Sequence, residues 1–141
     1  MDNLSTSKRS WNMSRIKSKD TSLEIEVRKY LYHHGFRYRK NVKDLPGTPD
    51  IVLTKYRTAI FINGCFWHHH FNCEFAYVPK SRTEYWLKKF ESNINNDIEK
   101  EKELRELDYK VITVWECELK ECFEFRMEKL IEEICRNEDD C

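Results

Sequence analysis

The sequence lacks any apolar run that approaches the ~20 residues needed to cross a membrane, and 35% of its 141 residues are charged. Residues 1–19 are polar and basic, without the apolar segment that a secretion signal requires. Internal repeats and low-complexity linkers are also missing. These absences predict a single domain over residues 1–141, located in the cytoplasm and without a membrane partner.

Net charge is also lacking, because 25 Lys and Arg balance 25 Asp and Glu, which by itself argues against a nucleic-acid partner. The distribution is uneven, however. Residues 1–60 hold 13 basic and 6 acidic side chains, whereas residues 61–141 hold 12 and 19. The asymmetry is compatible with a basic face that binds DNA, although ordinary solvated surface charge is an alternative explanation. We predict a basic DNA-binding arm over residues 1–19, for which a merely disordered tail is the alternative, and a mobile acidic tail over residues 136–141. The basic residues of the arm are Lys8, Arg9, Arg15, Lys17 and Lys19.

Capping and periodicity indicate the secondary structure. Thr21 followed by Glu24 forms a capping box, which predicts the start of a helix that ends near Gly35. Apolar spacing predicts strands over 36–42, 50–53, 58–62 and 109–115, and helices over 82–107 and 123–135. This order of elements predicts a mixed sheet with helices on both faces.

The six cysteines include several that lie close to histidines. Disulfides are not expected in a chain without an export signal. Cys65, His70 and Cys73 follow the spacing C-x4-H-x2-C, and Cys117 comes just after a predicted strand. Since structural zinc takes four Cys or His ligands, these residues predict a zinc site. The alternative is that Cys65 and Cys117 are small buried apolar residues.

A second group of side chains suggests chemistry. Asp50 opens a predicted strand, and the next strand returns beside it, so its carboxylate and the carbonyl of Ile62 offer oxygens of the kind that Mg²⁺ prefers. Histidine is suited to act as a general base near neutral pH, which makes His68 a candidate and Asp97 a candidate to orient its ring. Each also has an ordinary explanation: a strand start, a surface or zinc-bound histidine, and a polar helix face.

Three aromatic side chains are candidates for a role in the core or at the DNA. Phe66 and Trp67 lie inside the Cys/His segment, off any periodic face, and can either cover a zinc site or wedge between base pairs. Trp86 falls on the apolar stripe of the predicted helix over 82–107, so its default role is in the core.

Several strings, taken together and in order, resemble the very-short-patch-repair (Vsr) mismatch endonucleases. They are RSWNM at 9–13, KDT at 19–21, LPGTPD at 45–50, NGCFWHHH at 63–70, RTEYW at 82–86 and VWEC at 114–117. The resemblance implies a restriction-endonuclease-like, three-layer α/β/α fold related to the PD-(D/E)xK nucleases, with a structural zinc site. It also implies a Mg²⁺-dependent nick 5′ of the T in a T:G mismatch, the lesion left when 5-methylcytosine deaminates.

By motif position, the resemblance implies a role for each candidate residue. Asp50 matches the Mg²⁺ ligand, His68 the histidine that activates water, Glu24 an active-site acid and Asp97 the partner of that histidine. The zinc ligands would be Cys65, His70, Cys73 and Cys117. Phe66, Trp67 and Trp86 match the aromatics that enter the DNA beside the mismatch, which replaces the core role expected for Trp86.

Two departures from the family pattern bear on mechanism. Asn63 stands where well-known members carry a second active-site histidine, and asparagine cannot act as an acid or base near neutral pH. Phe71 and Asn72 lengthen the stretch before Cys73 by one residue relative to some relatives, which leaves the choice of ligand among three consecutive histidines open.

The resemblance leaves alternatives and partners to be tested. The rival functions are a sequence-specific restriction-type endonuclease, a non-catalytic zinc-containing DNA-binding module, and a purely structural zinc protein. Duplex DNA is the expected partner, a MutL-type repair protein a further one, and association with the nucleoid the expected location. A monomer suffices for a nick in one strand.

Overall fold

The computed structural model describes residues 21–136. The predicted basic arm, with its five candidate DNA-binding residues, and positions 137–141 of the predicted tail lie outside the described residues. The elements are α1 (Ser22–His33), β1 (Arg39–Lys40), β2 (Ile51–Leu53), β3 (Thr58–Asn63), α2 (Thr83–Glu106), β4 (Lys110–Trp115), α3 (Glu116–Glu121) and α4 (Phe123–Cys135). No helix in this part of the chain is both long and apolar enough to span a membrane.

The strands form one four-stranded mixed sheet in the order β1-β2-β3-β4. The first three strands pair antiparallel, with Ile51 opposite Ile60, whereas β3 and β4 pair parallel, with Ile60 opposite Ile112. A parallel pair needs a long crossover connection, and α2 supplies it. The mixed sheet that the order of elements predicts is confirmed.

Alternation along the strands divides the core between the two faces of the sheet. On one face Ile60 and Ile112 pack against residues of α1 and α4, including Leu31 and Leu130. On the other face, Ala59 and Val111 pack against Leu104 of α2. Helices therefore cover both faces, and the sheet's central strands are buried almost throughout.

Three local details differ from the predictions. The strand predicted over 36–42 is reduced to Arg39–Lys40, because Phe36 bonds back to the end of α1 and Asn41 has a φ of +48°. The short helix α3 follows β4 directly. Cys135 is disulfide-bonded, so the expectation of free thiols is wrong there. An argument from cellular compartment carries no information about which thiols come together.

Candidate active site and metal centre

Asp50 lies at the start of β2, beside the end of β3. Its Oδ2 accepts the backbone N–H of Ile62 at 2.7 Å, and its backbone oxygen accepts the N–H of Asn41 at 3.0 Å. The antiparallel pairing of β2 with β3 brings these groups together. The contact immobilises one carboxylate oxygen and leaves the other available to a ligand.

The electrostatic environment of Asp50 is unusual for an acid. Burial raises the pKa of Asp50 to about 7; the Ile62 N–H opposes this rise, the carboxylate of Glu24 adds to it, and His68 and Arg28 oppose it. Glu24 is only 2% exposed and closes the predicted capping box with Thr21, whose N–H it accepts at 3.1 Å. Carboxylate oxygens are the ligands that a hard divalent cation takes, and a bound cation would offset the unfavourable charge of a buried carboxylate.

His68 and Asp97 form a hydrogen-bonded pair. The ring Nδ1 lies 2.6 Å from Asp97 Oδ2, and both side chains are about one-third exposed. A neutral ring that donates from Nδ1 presents Nε2 as an acceptor, which is the arrangement a general base requires. The structure thus brings together two residues that sequence reasoning treated as candidates 29 positions apart.

A cleft of about 990 Å³ runs between α2 and the sheet. His68 and Asp97 line it together with Asn63, which ends β3 and is 7% exposed. The cleft is therefore open to a ligand at the His68–Asp97 pair.

The four predicted zinc residues lie in one cluster. The ligand atoms of Cys65, His70, Cys73 and Cys117 all lie within 4.8 Å of one another. The Nδ1 atom of His70 is 3.7 Å from the Cys65 sulfur and 3.4 Å from the Cys117 sulfur. Tetrahedral zinc places a sulfur and a nitrogen ligand about 3.5 Å apart. The spacing fits that ion.

Of the three consecutive histidines, only His70 joins the cysteines. His68 is held by Asp97, and His69 stacks on Phe90 with ring centroids 4.3 Å apart. Burial raises the pKa of the Cys65 thiol to about 12 and also raises the pKa of Cys117. A bound divalent cation reverses this effect, because it stabilises the thiolate.

Phe66 is the centre of an aromatic cluster in this structure. Its ring lies 5.3 Å from Trp67, 5.4 Å from Trp86 and 5.3 Å from Phe90. Phe66 is 6% exposed, whereas both tryptophans are half-buried. The indole N–H of Trp67 is buried and finds no hydrogen-bond partner within residues 21–136. The cluster has the arrangement expected of a small hydrophobic core over the metal site. The buried indole N–H without a hydrogen-bond partner is unfavourable in such a core.

Several supporting contacts were not identified from the sequence. Trp115 stacks on the His70 ring at 4.0 Å and 7°, and Glu116 accepts the N–H of Cys65 at 3.3 Å. Asn93 donates to the backbone oxygen of Trp67 at 2.7 Å, which ties the Cys/His segment to α2. The VWEC string was the available signal for the first two contacts. Asn93 lies on a polar helix face and stands out only in three dimensions.

Several known proteins are similar to this chain in sequence. The family model described as DNA mismatch endonuclease Vsr matches residues 1–74. The type II nicking enzyme V.NmeAIP of Neisseria meningitidis serogroup A is 52% identical over 136 residues, or 94% of this chain and 96% of the relative. The type II nicking enzyme V.XorIIP of Xanthomonas oryzae is 45% identical over 84% of this chain and 86% of the relative.

A third relative carries the family's own name. The DNA mismatch endonuclease Vsr of Escherichia coli is 43% identical over 112 residues, or 79% of this chain and 71% of the relative. The mixed α/β fold, the site and these matches together define a hydrolase that nicks DNA. The chain belongs to the Vsr family of DNA endonucleases.

Proposed function

We propose that the protein is a Mg²⁺-dependent endonuclease that nicks one strand of duplex DNA 5′ of the T in a T:G mismatch. The observation that carries the proposal is the His68–Asp97 pair, held at 2.6 Å on a cleft beside the strand ends. The sheet with helices on both faces supports a restriction-endonuclease-like fold within this family.

Asp50 is the proposed Mg²⁺ ligand, with the carbonyl of Ile62 and oxygens of the DNA phosphate completing the set. Bound at this place, Mg²⁺ supplies a positive charge that polarises the scissile phosphate. The raised pKa of Asp50 supports the assignment. Burial and the Glu24 carboxylate make the negative charge of Asp50 unfavourable, and a bound cation would stabilise that charge. Glu24 acts beside Asp50 as the second acid of the site.

His68 is the proposed general base. Its Nε2 takes a proton from the attacking water while Asp97 holds the ring through Nδ1 and stabilises the imidazolium that forms. Asn63, buried at the end of β3, can hydrogen-bond a phosphate oxygen but cannot carry a proton. Removal of the proton from the attacking water therefore rests on His68 alone.

The aromatic cluster is the proposed reader of the mismatch. Phe66, Trp67 and Trp86 would leave their mutual contacts and enter the base stack, where a mismatched step is easier to unstack than a paired one. The indole N–H of Trp67 supports this, because within residues 21–136 it is buried without a hydrogen-bond partner, which lowers the cost of moving the side chain. Zn²⁺ held by the four-residue Cys/His cluster would keep the segment that carries Phe66 and Trp67 in place.

A nicking assay tests the proposal directly. Strand-labelled duplexes that carry T:G, T:A or C:G in several sequence contexts are incubated with Mg²⁺ or with EDTA. We expect one nick, 5′ of the mismatched T, that disappears in EDTA and in the paired duplexes. Cleavage of both strands of a paired duplex would instead favour a sequence-specific restriction-type enzyme. Tight mismatch binding without any nick would contradict the proposal and favour a binding module.

Replacement of His68 by alanine is expected to lower kcat about 10²–10⁴-fold, because the general base is lost. Asp97→Asn should have a smaller effect, and the double variant should be no slower than His68→Ala, since both residues serve one proton transfer. Single-turnover rates on a T:G duplex measure this. His33→Ala, an exposed histidine at the end of α1, is the control and should match the wild type. Full additivity of the two losses would refute the pairing.

The remaining assignments follow from the substrate. A protein that acts on cellular DNA is expected to associate with the nucleoid in the cytoplasm. A nick in one strand needs only one active site, so a monomer suffices. We also propose that a MutL-type repair protein recruits the enzyme.

A further inference from the structure

The loop before Asp50 contains a tight turn whose third residue is Gly47. The N–H of Thr48 donates to the backbone oxygen of Leu45 at 3.2 Å, and Gly47 has a φ of +77°. Pro46 at the second position and a left-handed residue at the third are the features of a type II turn. The turn leads directly to Asp50, which follows Gly47 by three residues.

Gly47 is also a point of close contact. A Cβ atom at this position would lie 3.0 Å from Cβ of Lys100 and 3.2 Å from Cζ of Phe61. Two carbon atoms reach their best separation only at about 3.5–4.0 Å. The backbone of the loop therefore sits against α2 and β3 with no room for a side chain.

The two elements against which Gly47 lies, α2 and β3, both carry residues of the proposed active site. Lys100 lies one helical turn beyond Asp97 on α2, and Gly47 and Lys100 line the same cleft as His68. Phe61 precedes Ile62, whose N–H holds Asp50. We propose that Gly47 is a positioning residue: its contact with Lys100 and Phe61 sets the spacing between Asp50 and the His68–Asp97 pair. This inference rests on the proposed function for its kinetic readout.

Gly47→Ala is the first test. The added methyl group requires the Asp50 loop or its neighbours to shift by a few tenths of an ångström. Misplacement of a reacting group by about 1 Å can cost about 10²-fold in rate, and a smaller shift should cost less. We expect kcat on a T:G duplex to fall about tenfold while KM for the duplex stays within about threefold of the wild type. Both parameters come from steady-state nicking at saturating Mg²⁺.

Gly35→Ala is the matched control. Gly35 has a φ of +90°, so alanine is strained there as well, but nothing lies within 4 Å of the Cβ that would be added. The control reports the cost of backbone strain without the steric contact, and it should keep the wild-type kcat. Equal kcat values for Gly47→Ala and Gly35→Ala would overturn the proposal.

Lys100→Gly in the Gly47→Ala background tests the contact itself. This change removes the Lys100 Cβ at 3.0 Å and the Cγ at 3.4 Å, so kcat should recover in part relative to Gly47→Ala. Lys100→Gly alone leaves Phe61 as the remaining neighbour of Gly47, so it should lower kcat, but by less than Gly47→Ala does. Failure of the double variant to recover would show that strain, not contact, causes the loss. If Gly47→Ala does not fold, Lys100→Val, which crowds Gly47 from α2, should lower kcat relative to Lys100→Ala; equal rates would overturn the proposal.

A readout independent of turnover separates this inference from the proposed function. The imidazole nitrogen resonances of His68 report its hydrogen bond to Asp97, and a Mg²⁺ titration without DNA reports the affinity of the Asp50 site. Gly47→Ala should shift the His68 resonances and weaken Mg²⁺ binding, whereas Gly35→Ala should change neither. If the wild type nicks no duplex, the proposed function fails, but these two measurements still decide the role of Gly47. No difference between the variants in either would refute it.

Discussion

Asp50→Asn is expected to lower the rate of nicking of a T:G duplex about 10³-fold or more, while the dissociation constant for the duplex stays within about threefold of the wild type. The amide keeps the shape of the carboxyl group but carries no charge to hold Mg²⁺. Asp50 is not among the residues proposed to bind DNA, which are the aromatic cluster and the basic residues of the predicted arm. Single-turnover nicking and a mobility shift in EDTA measure the two quantities. Asp44→Asn, an exposed aspartate that pairs with Arg39, is the matched control and should nick normally.

The same substitution should change stability in a pH-dependent way. Burial raises the pKa of Asp50 from 3.8 to about 7, so the folded state holds this proton more tightly than the unfolded chain does. The wild type therefore loses stability as the pH rises between these two values, and the penalty is complete above them. Asp50→Asn removes the penalty. In buffer without Mg²⁺ the variant should melt above the wild type at about pH 8 and together with it at about pH 3. A lower melting temperature at the higher pH would contradict the electrostatic account of Asp50.

Removal of the structural zinc is the second change with a large expected effect. The purified protein should contain about one Zn²⁺ per chain, and a strong chelator should lower Tm by more than about 10 °C, because the binding free energy of structural zinc contributes directly to folding. Nicking should be lost as well, since the segment between Cys65 and Cys73 carries Phe66, Trp67 and His68. Metal analysis, calorimetry and the nicking assay follow the three quantities. Re-addition of Zn²⁺, but not of Mg²⁺, should restore them.

Cysteine variants provide the control for this experiment. Cys65→Ser removes one ligand of the cluster and should lower zinc content and Tm together. Cys122→Ser changes an exposed free cysteine outside the cluster and should leave both unchanged. Full zinc content in Cys65→Ser would show that the metal lies at another site.

The local structure followed largely from local signals in the sequence. The capping box at Thr21 and Glu24 set the start of α1, and apolar periodicity located α2 and α4 to within one residue. Strands β3 and β4 were recognised from short β-branched runs, as expected for strands buried on both faces. The strand predicted over 36–42 was too long. A strand extends only as far as it pairs with a neighbour, and β2 pairs with β1 over a short stretch.

The chemistry was identified mainly through motifs. The C-x4-H-x2-C spacing and the resemblance pointed to the residues of the cluster, and the comparisons confirm the family. They do not test the role of any single residue, so the catalytic assignments remain predictions. The spacing already pointed to His70, and the fold shows why its two neighbours do not join the cysteines: His68 pairs with Asp97, and His69 stacks on Phe90.

The sequence by itself determined which residue types are available and where helices and strands begin, since capping, periodicity and turn chemistry act over a few positions. The tertiary structure decided which of them meet. Asp97 reaches His68 across 29 positions, and Gly47 meets Lys100 across more than 50, because α2 folds back over the sheet. The raised pKa of Asp50 is likewise a tertiary property, since burial and the approach of Glu24 arise only when α1 packs against the strands.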